Sequence, residues 1–128
     1  EDANFLRIHG DCHRGNLLDS GDELFFVDFD DFCNGPVAQD LWMLTAGDET
    51  ERVQNLDALL KGYEEFRHFD SDEEDLFEPL RGLRMLHYSA WIARRWEDPS
   101  FPKLFPTFGS YNYWSEETEQ LERVAWKL

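Results

Sequence analysis

The chain has 128 residues, 41% hydrophobic and 16% aromatic, and its 28 acidic and 12 basic side chains leave a net charge of −16. That length and apolar content suffice for one buried core and exclude a disordered chain, and no apolar run approaches the roughly 18 residues a membrane helix needs. The acidity excludes nucleic acid as a partner, because like charges repel a phosphate backbone. It leaves two uses of the charge open: solubility, or attraction of a cationic substrate.

The chain starts on Glu1-Asp2-Ala3-Asn4, without Met or a leader, and reaches strand-forming residues at once, so it reads as a fragment of a longer protein. Phe5 to Ile8 predicts a short strand. Leu17-Leu18 and Leu24 to Phe29 predict two more, joined through the turn formers Asp19-Ser20-Gly21-Asp22-Glu23. Such a hairpin brings Asn16 and Asp28 together at its open end, since both lie nearly equidistant from its centre.

Beyond Pro36 the pattern turns helical. Val37 to Thr45 is a short apolar segment carrying Asp40. Asp48 with Glu51 reads as a capping box opening a helix whose apolar spacing runs from Val53 to Phe66. Ser71-Asp72-Glu73-Glu74 reads as a second box, leading a long helix to about Trp96 with Pro79 in or near an early turn. Asp98-Pro99, Phe101-Pro102 and Phe105-Pro106 predict a loop, and Ser115 is the expected cap of a last helix through Leu121, Val124 and Leu128. The fold class is mainly α with a small β-hairpin.

The chemistry concentrates in His9-Gly10-Asp11-Cys12-His13-Arg14-Gly15-Asn16 and Val27-Asp28-Phe29-Asp30. Phosphoryl transfer needs a group that orients the attacking hydroxyl and accepts its proton, and metal ions that bridge the phosphates. Asp11 suits the first task, through position more than proton affinity. Magnesium takes oxygen ligands and keeps waters and phosphates as partners, so the Asn16 amide oxygen and the Asp28 carboxylate are a sufficient protein share. Asp30 is a candidate for supporting that metal site or for a hydrogen bond behind it, whereas Asp31 reads as turn. Asp, Gly and Asn are also common in plain turns; it is the combination on one hairpin that points to function.

His9, Cys12 and His13 match no common zinc spacing. Cys12 and Cys33 make no disulfide framework and suit a reducing compartment, and Cys12 beside Asp11 raises the idea of a redox switch. Trp42, Trp91, Trp96, Tyr111, Tyr113 and Trp114 fit either core or a substrate cleft, and Arg94-Arg95 either an ion pair with the acidic stretch from Glu64 to Glu78 or an acidic partner.

These motifs resemble the aminoglycoside phosphotransferase and choline kinase family, relatives of protein kinases. The segments Asn34 to Leu44, Tyr63-Glu64-Glu65-Phe66, Glu78-Pro79-Leu80-Arg81 and Ala93 to Lys103 extend the likeness, toward a bacterial stress-response branch of that family. The resemblance implies a protein-kinase-like C-terminal lobe. Residues 1–36 would hold the catalytic loop and metal hairpin and residues 37–128 a helical subdomain. It implies Asp11 as the catalytic Asp, Asn16 and Asp28 as magnesium ligands, and His9 and Asp40 as braces of the catalytic loop. It further implies a cytoplasmic Ser/Thr protein kinase using ATP and Mg2+, with a protein substrate; the sequence leaves the oligomeric state open, a monomer being the simplest expectation. No Gly-rich phosphate loop and no strand Lys paired with a helix Glu can be identified, so the nucleotide-binding lobe is expected to be absent and the isolated fragment inactive. A small-molecule phosphotransferase and a non-catalytic scaffold are the alternative readings.

Overall fold

The computed structural model describes residues 5–45 and 48–128. Among the described residues four short strands and five α-helices follow in chain order, and the chain divides into two compact units, residues 1–77 and 78–128.

The first unit carries all the strands of the described residues. β1 (Phe5–Ile8) pairs antiparallel with β4 (Cys33–Pro36), Ile8 standing opposite Cys33. β2 (Leu17–Asp19) and β3 (Leu24–Phe26) form the expected hairpin, with Leu17 opposite Phe26. Its turn is made by local polar groups: Asp19 Oδ1 accepts the Gly21 N–H at 2.7 Å, and Gly21 takes φ +91°, which a residue without Cβ adopts at little cost. β3 stops before Asp28 because that residue turns into the left-handed region, at φ 62°. β4 lies in a stretch rich in turn formers, and the periodicity does not single it out as a strand.

α1 (Ala38–Leu44) buries Ala38, Leu41 and Met43, and together with Ile8, Cys12 and Phe69 these form the core of the unit. Full burial of a Leu of this kind contributes about 1.5–3 kcal/mol. α2 (Glu49–Tyr63) starts on the capping box read from the sequence: Asp48 accepts the Glu51 N–H at 2.9 Å and Glu51 returns a bond to the Asp48 N–H at 3.2 Å. It ends at Tyr63, short of Phe66.

The second expected box does not open an α-helix. Asp70, not Ser71, is the cap, and it starts a 3-10 turn over Ser71–Leu76. The carboxylate of Asp70 accepts the Asp72 N–H at 3.1 Å, and this tight local bond favours the narrower winding. α3 (Phe77–Arg94) follows, with Pro79 in its first turn, where a missing N–H costs no helical bond.

In the second unit α3 runs antiparallel to α5 (Tyr111–Ala125): Gly82 meets Val124, and Ser89 Oγ lies 2.8 Å from the Tyr113 hydroxyl. A Cβ at position 82 would come within 3.1 Å of Val124, so the bare backbone sets this approach. The expected proline-rich loop contains a one-turn helix, α4 (Phe101–Leu104), which buries Phe101 against Trp91 at 5.0 Å. Ser110 caps α5 by accepting the Tyr113 N–H, so the helix begins well before Ser115. Trp96, Phe108, Tyr113 and Trp114 pack on one another, and the Arg95 guanidinium lies 4.9 Å over the Trp91 ring. Tyr111 stands exposed.

Candidate active site

The loop after β1 is held from two sides. The Asp40 carboxylate, on the first turn of α1, accepts the backbone N–H of His9 at 2.8 Å and of Gly10 at 3.0 Å. Either N–H left without a partner would cost about 1–3 kcal/mol. Gln39 adds a bond from its amide to the Gly10 carbonyl at 3.3 Å. Gly10 sits at φ +87°, and a side chain there would collide with the carbonyl oxygen of Asp31. The turn from Phe29 to Phe32, closed by the Phe32 N–H on the Phe29 carbonyl, is thereby pressed against the loop.

From the other side His9 ties the loop to the hairpin. Its Nδ1 accepts the Asp11 N–H at 3.3 Å, so the ring hydrogen resides on Nε2, which donates to the Val27 carbonyl at 2.8 Å. The ring is buried and packs on Phe29 at 4.6 Å between centroids. Val27 in turn donates its N–H to the Asn16 carbonyl at 3.0 Å. Asn16 is buried, and its Nδ2 donates to the Asp11 carbonyl at 2.9 Å. With the amide nitrogen committed, Oδ1 is the atom left to ligate a cation.

Asp11, Asn16 and Asp28 are thus joined through a short network: Asp11 to Asn16 directly, and Asn16 to Val27, the residue before Asp28. Asp28 is exposed, and its φ of 62° lies where few residues other than Gly settle, though Asp tolerates it better than most. Strain of this kind collects at functional sites. Asp30 and Asp31 are exposed on the adjoining turn. Among the described residues no three His, Cys, Asp or Glu side chains gather into a metal-holding group. One amide oxygen and one carboxylate fit magnesium that arrives with a polyphosphate, whose oxygens complete the shell.

His13 received no role in the sequence beyond a rejected zinc pattern. Its Nδ1 accepts the Gly15 N–H at 3.0 Å, capping a 3-10 turn over Arg14–Asn16, and its Nε2 lies 3.6 Å from Asp11 Oδ2. The signal was its place two residues after Asp11. Cys12 is 3% exposed, and burial first, then the negative charges of Asp40 and Asp11, push its thiol from an ordinary 9.0 up to about 11. A thiol so protonated is a poor nucleophile, which removes the redox-switch idea.

The profile of the phosphotransferase enzyme family matches residues 2–83. The chain is 51% identical over 118 residues, 92% of its length, to stress response kinase A of Escherichia coli strain K12. It is 49% identical over 118 residues to stress response kinase A of Shigella flexneri. It is also 50% identical over 113 residues, 88% of its length, to serine/threonine protein kinase RdoA of Salmonella typhimurium. The chain spans 36%, 36% and 34% of these three relatives, about a third of their length.

Proposed function

The chain belongs to the phosphotransferase enzyme family, and from that premise we propose that it is the C-terminal catalytic lobe of an ATP- and magnesium-dependent Ser/Thr protein kinase acting in the cytoplasm in a stress response. The observation that carries this reading is the network joining the Asp11 loop to the Asp28 end of the hairpin through Asn16, Val27 and His9. That Asp11, Asn16 and Asp28 share one small framework supports reading them as a base and two magnesium ligands. Asp11 orients the acceptor hydroxyl and takes its proton as the phosphoryl group arrives. Asn16 Oδ1 and the Asp28 carboxylate would hold the metal, which would supply positive charge against the negative charge that develops on the transferring phosphoryl group. His9 and Asp40 keep the loop in shape, and Asp30 supports the site from the adjoining turn. Two free thiols, one buried and one exposed, suit a reducing compartment.

In this reading the nucleotide-binding lobe lies outside the 128 residues, consistent with a chain that spans about a third of its relatives. The relatives' names favour a protein acceptor. A small hydroxyl-bearing amine would use the same phosphate machinery. In the full-length protein, Asp11→Ala and Asp28→Ala should each lower turnover by at least about a hundredfold, the scale of one general-base or electrostatic contribution. Turnover is followed with labelled ATP, separating label on protein from label on small molecules. Wild-type rates in both variants would remove the assigned roles, and label on small molecules alone would remove the protein-kinase reading.

A further inference from the structure

We propose that His13 is a positioning residue for Asp11. Its Nε2–H fixes the rotation of the Asp11 carboxylate so that the base meets the acceptor hydroxyl in one orientation. This rests on the reading of Asp11 as the base.

Three observations converge. The Gly15 N–H on Nδ1 at 3.0 Å determines the tautomer, since an accepting Nδ1 leaves the ring hydrogen on Nε2. That Nε2 lies 3.6 Å from Asp11 Oδ2, longer than a formed hydrogen bond but at the distance typical of catalytic contacts before substrate closes the site. Finally, Gly15 makes room for the ring: a Cβ there would lie 2.7 Å from His13 Cε1 and 2.9 Å from Nδ1. The ring is therefore aimed by its neighbour two residues on, while 44% of the side chain stays open to solvent against 17% for Asp11. A residue serving only to cap a 3-10 turn would need its Nδ1 alone. The turn's own geometry does not require Nε2 to point at the carboxylate.

The test uses the full-length protein with labelled ATP and a serine-containing basic peptide as acceptor. His13→Ala should lower kcat about tenfold or more and leave KM for ATP within about twofold, because misplacing a reacting group costs rate rather than nucleotide binding. His13→Gln, whose side-chain N–H reaches nearly the same place, should recover part of the loss. Gly15→Ala, which keeps the histidine but displaces its ring, should lower kcat in the same way. In an Asp11→Asn background His13→Ala should have no further effect on kcat. Wild-type kcat in His13→Ala, or an equal loss in both backgrounds, overturns the proposal. If Asp11→Ala itself keeps wild-type turnover, the functional reading falls first; if Asp11→Ala is inactive and His13→Ala is not, only this inference falls.

Discussion

At the scale of single residues, Cys12 and His9 show how neighbours decide chemistry. Both stand within two residues of Asp11 in sequence, and both are buried. His9 spends each ring nitrogen on a backbone group, and Cys12 is closed off by burial and by two carboxylates. The sign of the thiol's effect on stability follows from its displacement. The unfolded chain releases this proton near 9.0 and the folded chain near 11, so ionisation between those values favours unfolding. The contribution is intact below pH 9 and falls away as pH rises toward 11. We expect wild-type protein to lose more stability than Cys12→Ser across that interval, read from urea unfolding in steps of pH. In the folded protein at pH 8, an alkylating reagent followed by peptide mapping should mark exposed Cys33 and spare Cys12. Equal labelling of the two would mean that the loop after β1 opens readily.

At the scale of elements, caps with both partners in reach were legible. Asp48 and Glu51 satisfy each other's backbone, and α2 starts where they indicate. Asp48→Ala should destabilise the protein by about 1 kcal/mol, the usual worth of an N-cap, measured as a shift in denaturant midpoint at unchanged slope. No shift would mean that packing alone sets the helix start. The hairpin was legible for a similar reason: its turn chemistry is local, so Asn16 and Asp28 could be brought to one end from sequence alone. Elements fixed by distant partners were not legible. β4 is a strand only because β1 lies beside it, and Cys33-Asn34-Gly35-Pro36 otherwise reads as turn. Ser115 looked like a cap, yet α5 already runs from Tyr111, because Ser110 offers its hydroxyl to the Tyr113 N–H directly after Gly109 at φ +80°. The same division holds at the site. Asp11, Asn16 and Asp28 become candidates from residue type and spacing alone. The tautomer of His13 and the space kept for it by Gly15 depend on three-dimensional contact.

At the scale of the whole molecule, charge dominates. A net charge of −16 on 128 residues makes the folded state repel itself, and unfolding spreads the charge out. Opposing this are ion pairs such as Lys61–Asp57 at 2.6 Å and Arg123–Glu119 at 4.0 Å, exposed and therefore worth about 0–1 kcal/mol each. Salt weakens both, but the excess of acid outnumbers the pairs, so screening should stabilise. Between about 0.01 and 0.15 M salt the screening length falls from about 30 to 8 Å. Over that range the thermal midpoint of the chain should rise by a few degrees (about 1 kcal/mol for a domain of this size) and level off beyond it. A falling midpoint would show that the ion pairs outweigh the repulsion. Magnesium chloride at matched ionic strength provides the control. Asn16 and Asp28 supply two oxygens and no phosphate, so without nucleotide magnesium should raise the midpoint no more than sodium does. An excess that vanishes in Asp28→Ala would show that these two residues hold the metal without help from a nucleotide.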